Sequence, residues 1–136
     1  MMIRTLVVAY AALTLATISP AFAHEGDRVT PNFEQAIPNI PGKSLITVVV
    51  DYPPGAASAP HTHARSAFIY AYVVAGEIQS KVNDGKTRTY TAGQSWSEPP
   101  GASHSISRNA SRTKPAKLLA VFVVDTDDKA LTTPVK

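Results

Sequence analysis

The chain has 136 residues, a net charge of +3, four histidines and no cysteine. One domain is the default for this length, and disulfides, thiolate nucleophiles and cysteine-held iron–sulfur clusters are excluded. The basic residues are scattered, without a stripe of interleaved aromatics, so no nucleic-acid footprint is present.

Arg4 is the only charge ahead of an apolar run from Leu6 to Ile18, and Pro20-Ala21-Phe22-Ala23 follows with small residues in an A-x-A arrangement. This reads as a cleaved secretory signal over 1–23. A membrane anchor is the alternative, but the run falls short of the ~20 residues that span a bilayer. The expected product begins at His24 and is periplasmic or secreted, with no membrane association after cleavage. An N-terminal histidine also offers an amine and an imidazole to copper, but a cleavage point that merely precedes a histidine is the plainer explanation. Residues 24–41 are polar, interrupted by Pro31, Pro38 and Pro41, and read as an N-terminal arm.

Ser44 to Tyr52 is β-branched and apolar, which predicts a buried strand ended by Pro53-Pro54-Gly55. Ala67 to Ala75 predicts a second, with Phe68, Tyr70, Tyr72 and Val74 on one face and Ile69, Ala71, Val73 and Ala75 on the other. Gly76 permits a bend. Glu77 to Val82 and Thr87 to Tyr90 flank Asn83-Asp84-Gly85, a strong hairpin signal. Gln94 to Glu98, His104 to Arg108 and Lys117 to Asp125 complete the predicted strands. The tail, 127–136, reads as polar and frayed. No sustained 3.6-residue period occurs after the leader. Short strands with close Gly/Pro turns predict an all-β sandwich or barrel over 42–126.

Three of the four histidines fall beside Pro/Gly breaks: His61 and His63 after Pro53-Pro54-Gly55, and His104 after Pro99-Pro100-Gly101. Residues at i and i+2 share one face of a strand, so His61 and His63 form a two-point claw. Neutral imidazole is the commonest metal ligand, and a shared site with His104 is expected. Glu98 ends the strand leading to the second break and is the nearest local carboxylate, as an outer partner or acid/base, with a solvated strand-end glutamate as the plain alternative. Phe68, Tyr70, Tyr72, Gln79 and Trp96 are candidates to line a pocket, though aromatics at strand spacing are more often core.

Together these segments resemble the two signature motifs of the cupin superfamily: Gly55-x5-His61-x-His63…Gly76 and Gly93-x5-Pro99-x-Gly101-x2-His104. The resemblance covers about Pro54 to Asn109. It implies a single jelly-roll, cupin-type antiparallel β-barrel whose histidines face a divalent transition metal (iron, manganese, nickel, copper or zinc), and it implies a homodimer paired through a sheet edge. Two departures stand out. No carboxylate lies where the first motif has its glutamate, since the counts reach Ala67, Phe68 or Ile69. The second motif is one residue longer than the family pattern, so Arg108 takes the expected asparagine place and Asn109 follows it. Three neutral ligands leave the cation its full charge and open positions.

The expected function is an exported three-histidine metalloenzyme acting on a small organic molecule, oxygenase-like first and isomerase or lyase second. The alternatives are a non-catalytic periplasmic metal- or small-ligand-binding module and a metal-free structural barrel. Bare imidazoles gathered in an interior are costly to bury, which argues against the last.

Overall fold

The structure, a computed structural model, describes residues 26–136. The leader 1–23 and His24 lie outside those residues. Ten strands occur among the described residues: β1 (Arg28–Ala36), β2 (Lys43–Tyr52), β3 (His61–His63), β4 (Phe68–Ala75), β5 (Glu77–Val82), β6 (Arg88–Thr91), β7 (Ser95–Glu98), β8 (Ser103–Asn109), β9 (Ala116–Asp125) and β10 (Thr132–Pro134). They form two five-stranded sheets, ordered β1-β2-β9-β4-β7 and β10-β3-β8-β5-β6, with every pairing antiparallel. This is an all-β jelly roll.

The seven strands expected from β-branched runs and turn signals occur with ends shifted by no more than one residue. The expected arm and tail are more ordered than their composition implies. β1 lies within the arm and pairs with β2 from Arg28↔Asp51 to Ala36↔Ser44. All nine of its residues are exposed, so it has no buried face and no period-2 signal in the sequence. Pro31 is accommodated because β1 is an edge strand with an irregularity between Pro31 and Phe33. β10 lies within the tail and pairs with β3, Thr132 opposite His63 and Pro134 opposite His61.

The core fills the space between the sheets with Val48, Val50, Ile69, Val73, Ile78, Leu118, Phe122 and Val124. On β4 it is the smaller face, Ile69, Ala71 and Val73, that turns inward, while Phe68 and Tyr70 are exposed. A narrow barrel admits small side chains from β4 because Phe122, opposite Ile69 on β9, occupies the interior.

Gly76 joins β4 to β5 at φ 74°, and a Cβ there would sit 2.5 Å from the Pro115 carbonyl oxygen and 2.9 Å from Ala116. Both neighbours are backbone or short side chain and cannot swing away. Gly93 also has positive φ, 90°, but open space around it. Gly76→Ala is therefore expected to destabilise the fold by about 3 kcal/mol or more, and Gly93→Ala by about 1–2 kcal/mol, the backbone cost alone. Urea denaturation of both variants checks the ranking; equal losses would refute the close-approach explanation.

Candidate metal centre

His61 and His104 are direct cross-strand partners on β3 and β8, and His63 follows on the same face of β3. The three rings stand with centroids 4.7, 5.3 and 5.9 Å apart, and one ring nitrogen from each falls within 4.8 Å of the others. His63 and His104 are buried, and His61 is half-buried at the open side. The structure thus brings the three histidines together at one point between the sheets.

The extra residue of the second motif is absorbed in the β5–β8 ladder. Val82 faces His104 and Lys81 faces Ile106, so Ser105 is left as a bulge. Without it, His104 and Asn109, five residues apart, would point to opposite faces. With it, both turn inward. Asn109, not Arg108, takes the buried position, donating to the carbonyls of Tyr52, Pro53 and Lys114. Arg108 lies outside and donates to Gln79.

Glu98 enters from the opposite sheet. It is only 2% exposed, and it pairs in register with Ile69. Ile69 is one of the positions where the family motif would place its glutamate, so the carboxylate arrives from the neighbouring strand instead. Glu98 Oε1 accepts the Trp96 indole N–H at 3.0 Å and lies 3.4 Å from His104 Nδ1. Glu98 Oε2 lies 2.9 Å from His63 Nε2, yet the two are misaligned for a hydrogen bond, and neither has another partner.

The tautomers follow from the partners. His61 Nδ1 donates to the Ala59 carbonyl at 2.8 Å, and His63 Nδ1 donates to the Leu131 carbonyl at 3.1 Å. Carbonyls only accept, so in the neutral rings both Nε2 atoms carry lone pairs. A lone pair and a carboxylate oxygen facing each other in a buried space repel; a cation between them reverses the sign. This is the observation by which the residues fit a divalent metal, and the backbone carbonyls hold the rings in the ligating tautomer. His104 Nε2 meets Ser80 Oγ at 2.8 Å, which leaves Nδ1 toward Glu98.

The other expected lining residues lie elsewhere. Phe68 and Tyr70 are exposed, and Tyr72 and Gln79 are half-buried outside the cavity. The large face of β4 is the outer one, for the packing reason given above. Trp96 is buried behind the site, stacked on Tyr90 at 4.6 Å and orienting Glu98. The cavity, about 280 Å³, is walled by Val48, Val50, Ile69, Ala71, Leu118 and Phe122 and reaches His61, His63, His104 and Glu98. Sequence reasoning missed Leu131, Thr132 and Pro134, which belong to the site because the tail folds over β3. Their only sequence signal was an apolar Leu131 in a polar tail.

Comparison with known proteins agrees with this fold. The cupin-domain family matches residues 48–122, more than half of the chain, and the chain belongs to that family. Germin-like protein subfamily 2 member 2 of Arabidopsis thaliana is 31% identical over 101 residues, covering 71% of the chain and 45% of the relative, so the chain spans less than half of that protein's length. Among solved structures, a conserved protein with a double-stranded β-helix domain from Klebsiella pneumoniae superposes with a TM-score of 0.64 at 18% identity, over 84% of this chain and 88% of that one. An oxalate oxidase in complex with the substrate analogue glycolate superposes with a TM-score of 0.57 at 25% identity, over 73% of this chain and 51% of that one.

Burial pushes the Glu98 carboxyl up, but its contacts with His63, His104 and Trp96 outweigh this and hold it below the ordinary 4.5. Burial holds His104 down, to about 4 from 6.5, against the opposing pull of Glu98. Below pH 6.5 the unfolded chain takes up a proton at this histidine that the folded chain refuses until about pH 4. Stability of the metal-free protein is expected to fall by about 3 kcal/mol as pH drops through that window. A further loss follows below pH 4.5, where unfolded Glu98 protonates first. Urea midpoints between pH 7 and 4 check this, and His104→Gln should flatten the upper part of the slope.

Proposed function

We propose that the chain is a metal-dependent enzyme acting on a small organic molecule, with oxygenase-like chemistry ahead of isomerase or lyase chemistry. The observation that carries the reading is the buried, unpartnered pair His63 Nε2 and Glu98 Oε2 at the wall of an apolar cavity. His61, His63 and His104 would hold the metal, and Glu98 is close enough to two of them to share it or to work beside it. When bound, iron, manganese, nickel, copper or zinc supplies Lewis acidity or redox chemistry to an oxygen-bearing substrate. The likeness to an oxalate oxidase solved with glycolate supports a small, oxygen-rich head group on that substrate.

Glu98 favours catalysis over simple binding. Its Oε1 is tied to an indole N–H, its Oε2 lies beside His63 Nε2 without a hydrogen-bond partner among the described residues, and it is held ionised near neutral pH. A carboxylate in that state accepts a proton at Oε2 from a substrate hydroxyl or activated C–H. The surrounding apolar walls exclude water and strengthen that interaction.

Protein purified without a histidine tag is expected to carry one divalent metal per chain by elemental analysis. His61→Ala, His63→Ala and His104→Ala should each weaken metal binding at least ~100-fold by calorimetry, beyond what loss of an outer partner does. Glu98→Gln should keep metal and lose ~100-fold or more in turnover, followed as oxygen uptake or substrate loss over a panel of phenols, keto acids and hydroxy acids. Wild-type metal affinity in all three histidine variants would overturn the metal reading. Unchanged handling of the panel by Glu98→Gln would favour a non-catalytic binding module.

The same reading includes export and pairing. The apolar leader over 1–23 supports a periplasmic or secreted product starting at His24. Among the described residues the outer edge of β1 is unpaired in the sheet, which supports a homodimer joined strand to strand. Intact mass and light scattering of the exported protein check both: a retained leader refutes cleavage, and a monomer at high concentration refutes the dimer.

A further inference from the structure

The cavity has a second polar end. Ser58 Oγ donates to Asp27 Oδ2 at 2.6 Å, Tyr52 Oη meets Ser58 Oγ at 2.9 Å, and Tyr52 Oη meets Ser107 Oγ at 2.7 Å. All four side chains line the same cavity as the histidines. Tyr52 is 2% exposed and Ser107 4%, and burial pushes the Tyr52 phenol up, so it stays protonated.

The polarity of this chain is determined. A hydroxyl has one proton. Ser58 spends its proton on the Asp27 carboxylate, so it must accept from Tyr52. Tyr52 has then spent its own, so it must accept from Ser107. The three hydroxyls point one way: Ser107 to Tyr52 to Ser58 to Asp27. Every proton in the cluster is used, and what remains toward the cavity is lone pairs and a carboxylate. Among the described residues, the four side chains of this end accept hydrogen bonds and have none left to donate.

Its distance from the histidines follows from the ladder. His61 faces His104, and Ser58 N donates to the Ser107 carbonyl at 2.9 Å on the same pair of segments. The two pairs are three residues apart along β8, which is roughly 10 Å of strand, shortened somewhat by the Ser105 bulge. Between them the wall is apolar, with Val50, Leu118 and Ala120 among its residues.

We propose that the site takes an elongated small molecule with an anionic oxygen head at the histidine end, an apolar body, and a hydrogen-bond donor, an ammonium or hydroxyl, at the Asp27 end. The inference rests on the metal reading for the head group alone. Asp27 and Ser107 are the specificity-determining residues. A dicarboxylate is rejected at the far end, because its second anion meets only acceptors there, and a bare carboxylic acid without a donor leaves that end unpaired.

Calorimetry of the metal-loaded protein with three probes of one shape tests this: 4-(aminomethyl)benzoate, benzoate and terephthalate. The expected order is 4-(aminomethyl)benzoate at least 10-fold tighter than benzoate, with terephthalate weaker than benzoate. Asp27→Asn should remove most of that preference while leaving the metal titration unchanged. Ser107→Ala is the second variant, expected to lower the preference with metal affinity retained. Equal binding of the three probes by protein carrying one metal per chain would overturn this inference and leave the metal reading intact. A chain that binds no metal would overturn the metal reading instead, and the contrast between 4-(aminomethyl)benzoate and terephthalate in that same protein still decides the far end. Preference for terephthalate in either state refutes the proposal.

Discussion

The interior of this barrel is governed by a buried carboxylate set against an imidazole nitrogen. Glu98 Oε2 and His63 Nε2 meet at 2.9 Å with no other partner among the described residues, between walls of Ile69 and Phe122. An arrangement of this kind costs several kcal/mol in a low-dielectric space unless a positive charge resolves it. Each neighbouring feature bears on that constraint. Trp96 fixes the other oxygen of Glu98. The carbonyls of Ala59 and Leu131 fix the tautomers of His61 and His63. Ser80 occupies His104 Nε2. The ring nitrogens left over and the second Glu98 oxygen converge on the space where a cation reverses the repulsion.

The two sheets divide the work. The β3–β8 ladder supplies the three imidazoles, and β7 of the opposite sheet supplies the carboxylate. A centre assembled across the sandwich depends on the sheet separation, and so on the packing of Phe122 against His63, whose rings lie 5.7 Å apart. The absence of a glutamate in the first motif is resolved by the same architecture. Ile69 and Glu98 are cross-strand neighbours, so moving the carboxylate from β4 to β7 shifts it by one strand, about 4.8 Å, within the reach of a glutamate side chain. The bulge at Ser105 performs a comparable adjustment along β8, changing parity between His104 and the residues that follow.

The same ladder carries a second polar group at the other end of the cavity. There the hydroxyl protons of Ser107, Tyr52 and Ser58 all run toward Asp27. One end is organised to receive an anion with the help of a metal, the other to receive a donor. Asp27 belongs to the segment that opens β1, and Thr132 and Pro134 belong to β10, so both chain extensions contribute to the mouth of the site.

The sequence by itself determined the fold class, the seven central strands and the identity of the three histidines that meet. These features are written in local signals: β-branched runs, Gly/Pro breaks and an i, i+2 spacing that needs no knowledge of distant partners. It also pointed to Glu98, but only by its nearness in the chain to His104. Tertiary structure decided what the period cannot express. Which face of β4 turns inward depended on the volume Phe122 takes from the opposite strand, so Phe68, Tyr70 and Tyr72 went outside and Ile69 and Ala71 lined the cavity. β1 and β10 are edge strands without a buried face; their ordering comes from backbone pairing with β2 and β3, and such pairing leaves no hydrophobic pattern to read. The Asp27–Ser58–Tyr52–Ser107 chain joins residues up to 80 positions apart, and a hydrogen-bond direction exists only once those groups are in contact.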